Sequence, residues 1–269
     1  MSIISNSNEA IDRLIQATES ADSAILLVTA MENLAAANHV AAIPTLIEAL
    51  SYNNPGAAVA AVDGLIRIGE PAVEQILTQL DGYNYTARAW AIRALAGIGD
   101  PRGLVTLLGA ATADFALSVR RAAAKGLGTM KWHWFPADLL EIAQEEALES
   151  LLFVTQEDDE WIVRYSAVAG LETLAAAVSN YPAWHDRIQA QFKILATEDS
   201  NWAVRARATQ AQQPATTSRV PEAEPAPNIN WESILHNLYA RKDEERSIVA
   251  EGDPRKYWGL ACAIEPENP

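Results

Sequence analysis

Along most of the chain, small and apolar residues recur three and four positions apart, the spacing that gathers them on one stripe of a helix. No run of period two rises above it, so strands are not needed. The stripes also repeat as a block. Residues 58–71 (AVAAVDGLIRIGEP) lie over residues 88–101 (RAWAIRALAGIGDP) at an offset of 30, with Gly69 over Gly99 and Pro71 over Pro101. The same frame continues at Val119-Arg120 with Ala123 and Gly126-Leu127, at Val163-Arg164 with Ala167 and Gly170-Leu171, and more weakly at Val204-Arg205 with Ala208. Five repeats can be counted, the later two lengthened by insertions. Each predicts a helix pair: 43–50 with 56–68, 72–80 with 86–98, 102–111 with 116–130, 137–154 with 161–178, and 184–196 with 202–212. The punctuation agrees, since Gly99 stands where a helix ends, Asp100 where the next is capped, and Pro101 at a first position where a missing N–H costs nothing.

An Asp six residues before the repeat Arg recurs as Asp114/Arg120, Asp158/Arg164 and Asp199/Arg205, placing a carboxylate in each turn and a guanidinium in the following helix. A carboxylate at a helix N-terminus meets the dipole and can accept two parallel bonds from Arg, so these pairs are expected to ladder the repeats together, not to touch a ligand. The expected architecture is all-α, a HEAT-like α-solenoid in which helix pairs stack as a right-handed superhelix over residues 1–212. Residues 213–230 (QPATTSRVPEAEPAPNIN) carry four prolines and read as a linker. Residues 231–269 resume a helical pattern, with Trp231, Ile234, Leu235 and Leu238 on one face and Tyr257, Trp258 and Leu260 beyond. This C-terminal helical tail wants something to dock on, the parent solenoid or a partner.

Composition narrows the function. The chain has 269 residues, 49% of them apolar, with many alanines and only 4 phenylalanines, which favours thin helical layers over one thick core. Its 35 acidic against 20 basic residues leave a net charge of −15 with no Lys/Arg run, so no nucleic acid is expected as a partner. One cysteine, Cys262, allows no internal disulfide, and Cys/His clusters for a structural metal are absent, so no metal is expected. Residues 1–9 lack the features of a signal peptide and no stretch approaches the ~20 apolar residues of a membrane span. A cytoplasmic protein is the expectation.

No phosphate-cradling Gly loop, HExxH or nucleophile elbow is present. His39, His133, His185 and His236 are dispersed, which favours isolated polar roles over metal ligation. What stands out lies on the second helices. With Ala91, Ala94 and Leu95 as core positions, Trp90 and Arg93 project to the inner, concave face, and Tyr83, Asn84 and Tyr85 sit at its rim. Asp63 and Lys125 occupy the Arg93 position in the neighbouring repeats. The row Asp63, Arg93, Lys125 beside Trp90 reads either as a solvated ridge of charges or as a pocket for a flat, conjugated molecule with acid side arms. A further insertion, Lys131-Trp132-His133-Trp134-Phe135, is either an exposed anchor for another protein or a buried cap in the stack.

Asn54-Pro55-Gly56 with AAVAAVDGLI, YNYTARAWAIRALAGIGDPR over residues 83–102, and FALSVRRAAAKGLG over 115–128 resemble the F-type subunits of the heterodimeric phycocyanobilin lyases of cyanobacteria, within the HEAT-like phycobilisome lyase group. The likeness covers roughly residues 10–212. It implies an enzyme that, together with an E-type partner subunit, attaches phycocyanobilin by a thioether bond to a cysteine of the phycocyanin α-subunit. The bilin enters as substrate, and no cofactor is implied. An F-type relative that also isomerises the bilin carries a His-Cys pair that this sequence lacks, so plain attachment is implied. In this frame Asp63, or a carboxylate of the partner subunit, is the catalytic group at the pyrrole nitrogens, Arg93 and Lys125 take the propionates, and Trp90 with Tyr83 and Tyr85 stacks on the rings. Two alternatives remain open: a non-catalytic scaffold that binds phycobiliprotein, and a relative that removes bilins during phycobilisome turnover.

Overall fold

A computed structural model of the chain describes the backbone of residues 2–80, 85–213 and 226–251, and the side chains of 9–80, 86–213 and 226–243. The chain divides into two compact units, residues 1–228 and 229–269. Among the described residues every regular element is helical, and no helix is long and apolar enough to cross a membrane.

The first unit is a stack of helix pairs: α1 (Ser2–Glu19) with α2 (Ala24–Ala36), α3 (Ile43–Ala49) with α4 (Pro55–Ile68), α5 (Val73–Gln79) with α6 (Tyr85–Ile98), α7 (Leu104–Ala113) with α8 (Leu117–Gly128), α9 (Ala137–Glu157) with α10 (Trp161–Ala177), and α11 (Pro182–Glu198) with α12 (Trp202–Ala211). The five expected pairs are present, and α1 with α2 adds one more at the N-terminal end. Short 3-10 turns at Val40–Ala42, Glu70–Ala72 and Pro101–Gly103 lead into α3, α5 and α7, and α5 and α7 accordingly begin at Val73 and Leu104, later than the expected 72 and 102.

Local chemistry sets the ends. Ser23 Oγ accepts from the Leu26 N–H at 3.3 Å and Asn54 Oδ1 from the Ala57 N–H at 3.2 Å, each satisfying a donor that the first turn leaves free. Asn54 Nδ2 also donates to Ala24 O at 3.1 Å, tying the second pair to the first. At Gly69 and Gly99 the backbone turns through φ of +76° and +67°, a region that side chains disfavour, and Asp100 then caps the next turn with its carboxylate on the Arg102 N–H at 2.9 Å. His39 has the isolated polar role expected of it, accepting from the Ala41 N–H at its own turn.

The second helices α2, α4, α6, α8, α10 and α12 pack on one another in order, whereas the first helices touch more sparsely. Small residues permit the close approach. A Cβ on Gly126 would lie 2.4 Å from the Ala96 Cβ, and one on Gly128 only 2.2 Å from the Gly170 carbonyl oxygen. The larger core side chains, among them Leu46, Leu65, Ile76, Leu95, Leu107 and Phe192, fill the space between the two helices of each pair and the next.

A ladder is present as expected, but its pairing differs: Arg120 and Arg164 each take the carboxylate of the next repeat's Asp and only the backbone carbonyl of the Asp six residues before. Arg120 donates through Nη1 to the Asp114 carbonyl of its own turn at 2.9 Å, and through Nε and Nη2 to both oxygens of Asp158 in the next repeat at 2.6 and 3.1 Å. Arg164 does the same with the Asp158 carbonyl and the carboxylate of Asp199, at 2.8 and 3.0 Å for the two carboxylate bonds. Arg88 reaches Asp114 at 2.9 Å one step earlier. Each Asp also accepts from a backbone N–H two residues on, at Ala116, Glu160 and Asn201. A second set of joints comes from Arg102 on Asp100, Glu70 and Glu74, Arg187 on Glu149, and Arg207 on Glu172.

In the second unit the described part is α13 (Trp231–Glu251), whose first turn is capped by Asn230 Oδ1 on the Ser233 N–H at 3.2 Å. Tyr257, Trp258, Leu260 and Cys262 lie outside the described residues, as do positions 214–225 of the proline-rich stretch.

Candidate functional site

The second-helix layer holds the row of charges. Asp63 on α4, Arg93 on α6 and Lys125 on α8 are all exposed, and each stands beside buried residues of the helix packing: Val62 and Gly64, Ile92 and Ala94, Ala124 and Gly126. Helices α4, α6 and α8 pack directly in sequence. With roughly 8–10 Å between packed helix axes, the row extends about 20 Å from α4 to α8. Asp63, Arg93 and Lys125 form no ion pair among the described residues, although the ladder arginines Arg120 and Arg164 on α8 and α10 do. Their charge is therefore available to a ligand.

Trp90 lies half-buried one helical turn before Arg93, and the Arg93 guanidinium sits over its ring at 5.4 Å from the centroid. Of the other two expected stacking residues, Tyr83 lies outside the described residues. Tyr85 opens α6, but its side chain is likewise outside the described set. Arg121 was not read from the sequence. It is exposed, lies four residues before Lys125 and so shares its face of α8, and forms no ion pair among the described residues. The i,i+4 spacing was the available signal. Among the described residues no group of three or more His, Cys, Asp or Glu side chains is arranged to hold a metal ion.

The aromatic insertion is a buried cap and not an exposed anchor. Trp132, Trp134 and Phe135 are 8%, 6% and 7% exposed, forming a 3-10 turn between α8 and α9 in which Trp132 and Phe135 meet at 5.3 Å. Lys131 donates its backbone N–H to Gly99 O at 2.8 Å and lays its ammonium over Trp134 at 4.1 Å. The cap thus closes the space where the insertion interrupts the repeat.

Two cavities open elsewhere in the first unit. One of about 270 Å³ lies between α6 and α7, lined by Leu80, Ile92, Ala110 and Ala113 with Arg88 and Asp114 at its edge. Another of about 610 Å³ lies where α9 and α11 end, lined by Gln156, Glu157, Asp159, Gln191, Ile194 and Glu198 among others. Neither includes Asp63, Trp90, Arg93 or Lys125, and the charged row itself stands exposed on the helix face.

An open face bearing charges of both signs beside an indole can hold a long conjugated molecule by stacking and by carboxylate pairing, and it carries no nucleophile of its own. Known proteins resemble this chain over most of its length. The HEAT repeat family matches residues 73–172. A phycocyanobilin lyase subunit beta from Pseudanabaena tenuis (strain PCC 7409) is 56% identical over 96% of this chain and 98% of its own. The phycocyanin alpha phycocyanobilin lyase CpcF of Synechocystis sp. (strain ATCC 27184 / PCC 6803 / Kazusa) is 58% identical over 64% of this chain and 79% of its own. Among solved structures, the complex of CpcE and CpcF of phycocyanin lyase from Nostoc sp. PCC7120 matches with a TM-score of 0.60 and 50% identity, over 65% of this chain and 100% of the matched one. With more than half its residues identical to a lyase beta subunit over nearly the full length of both, the chain belongs to the F-type, or beta, subunits of the phycocyanobilin lyases.

Proposed function

We propose that this chain is one half of a heterodimeric lyase that, with an E-type subunit, attaches phycocyanobilin to a cysteine of the phycocyanin α-subunit in the cytoplasm. The near full-length identity to a phycocyanobilin lyase subunit beta carries the reading, and the similarity to the CpcE–CpcF complex supports the heterodimer. The bilin is a substrate, and the reaction calls for no cofactor. The acceptor Sγ adds to the ethylidene carbon, the electron pair of the double bond shifts into the conjugated system, and a proton is taken up. Nothing is oxidised or released.

Because the nucleophile comes with the acceptor protein, this chain's task is to hold the bilin in one conformation and favour its protonated form. Positioning of this kind can lower a barrier by several kcal/mol. In this reading Asp63 accepts from protonated pyrrole nitrogens, Arg93 and Lys125 pair with the two propionates, and Trp90, with Tyr83 and Tyr85, stacks on the rings. The exposure of the row and its lack of ion pairs support these roles.

The test is co-expression of this chain with an E-type subunit, apo-phycocyanin α-subunit and a bilin source, reading covalent pigment by zinc fluorescence on a denaturing gel. Pigment is expected only when both lyase subunits are present. A stable complex that transfers no pigment would favour the scaffold instead. For the site, Arg93→Ala/Lys125→Ala should weaken bilin binding by the heterodimer at least about tenfold, the loss of two charge-assisted contacts. Unchanged binding would remove the propionate assignment.

A further inference from the structure

A second surface, away from the charged row, lies at the turns that join α9 to α10 and α11 to α12. Counted from the ladder aspartates, the third residue on is Leu117, Trp161 and Trp202 in successive repeats, and all three are exposed. Trp202 presents 74% of its surface and Trp161 41%, at the first positions of their helices. Five residues before the same aspartates stand Phe153 and Ile194, also exposed. The repeat therefore brings large apolar side chains to the surface near one groove, the cavity of about 610 Å³: Ile194 lines it, and Trp161 and Trp202 follow its lining residues Asp159 and Ser200 by two positions in the chain. Isolated exposed apolar residues are ordinary on a surface, but a register of them flanking a groove marks a docking site.

The groove's charge identifies its occupant. Asp158 and Asp199 are taken by Arg120 and Arg164. Glu157, Asp159 and Glu198 also line it, are exposed, and form no ion pair among the described residues. The repeat does not need them. Where Glu157 and Glu198 precede their ladder aspartates, Asp114 is preceded by Ala113, and where Asp159 follows, Asp114 is followed by Phe115. Three like charges around a groove floored by Ile194 and Leu195 repel one another, and a cation set among them relieves that repulsion.

We propose that this groove docks an extended segment of a partner protein that alternates cationic and aliphatic side chains, the cations meeting Glu157, Asp159 and Glu198 and the aliphatic groups packing on Ile194 and the Trp161 and Trp202 rings. The surface is independent of the bilin reading, and its test involves no bilin.

A fluorescein-labelled eight-residue peptide alternating Arg and Leu is titrated with the full chain and followed by anisotropy, with a peptide alternating Glu and Leu as control. Saturable binding of the first peptide alone is expected. The triple variant Glu157→Gln/Asp159→Asn/Glu198→Gln should weaken it about tenfold. The triple variant Asp12→Asn/Asp22→Asn/Glu32→Gln, which removes the same charge at the other end of the stack, should leave it unchanged. Trp202→Ser, a change at an exposed position, should also weaken binding while the charges stay in place. No saturable binding by the natural chain, or equal weakening by both triple variants, overturns the proposal.

Discussion

At the Asp199 carboxylate, burial and hydrogen bonding oppose each other. Burial raises its pKa, but the bonds from Arg164 and the Asn201 N–H outweigh it, and the group titrates below its ordinary value of 3.8. A carboxyl whose folded pKa is depressed adds stability that is fully present above the unfolded pKa and is lost as pH falls through the folded one. Thermal stability should therefore decline as pH drops below about 4, and Asp199→Asn should decline less steeply over that window, measured by circular dichroism melting. At neutral pH, Asp199→Ala leaves Arg164 without its carboxylate in a site where the two side chains are 10% and 3% exposed. Losing one partner of such a pair costs about 3 kcal/mol, and a smaller loss than about 1 kcal/mol in urea titration would show the rung to be solvated. The rung was readable from the Asp/Arg spacing. Its direction was not, because spacing alone does not say whether Arg164 turns back to Asp158 or forward to Asp199.

At the level of the helix, small residues govern how close the second helices come. The Gly128 Cα hydrogen faces the Gly170 backbone, so even one methyl group would meet a carbonyl oxygen that no rotamer can move. Gly128→Ala should cost about 1–3 kcal/mol, the range for overpacking a closed contact, whereas Gly109→Ala on α7, where nothing lies within 4 Å, should be neutral or stabilising as an alanine in a helix. Comparing the two by denaturant midpoint separates packing from propensity. Helices whose punctuation repeats were found within a few residues, since Gly99, Asp100 and Pro101 announce a boundary by chemistry. The first pair, α1 and α2, falls outside the five repeats legible in the sequence, because it lacks the ladder Asp/Arg and any Gly-Asp-Pro sequence. The 3-10 turns at Glu70–Ala72 and Pro101–Gly103 were not legible as such, since a Pro like Pro71 or Pro101 suits the first turn of a 3-10 helix and of an α-helix alike. Of the candidate site, the row Asp63, Arg93, Lys125 was readable because an offset of 30 to 32 maps one helix face onto the next. The fate of the aromatic insertion was not, because burial of Trp132 depends on neighbours that the repeat frame does not reach.

In the whole molecule, a stack in which each pair touches only its neighbours has no common core, so its stability is a chain of joints, each of which can open alone. The joints differ. Between α8 and α10 the backbones meet at Gly128 and Gly170, and Arg120 clasps Asp158. Between α10 and α12 the connection rests on Arg164 with Asp199 and Arg207 with Glu172. Breaking a terminal joint should release only what lies beyond it. Hydrogen exchange of Asp199→Ala should show lost protection across residues 182–211, with residues 55–128 unchanged. Asp158→Ala cuts one joint earlier and should loosen residues 137–211 as a block while the pairs before α9 keep their protection. If instead both variants lost protection evenly from α3 to α12, the repeats would be folding as one cooperative body, and the charged row on α4, α6 and α8 would depend on the far end of the stack as well as on its own neighbours.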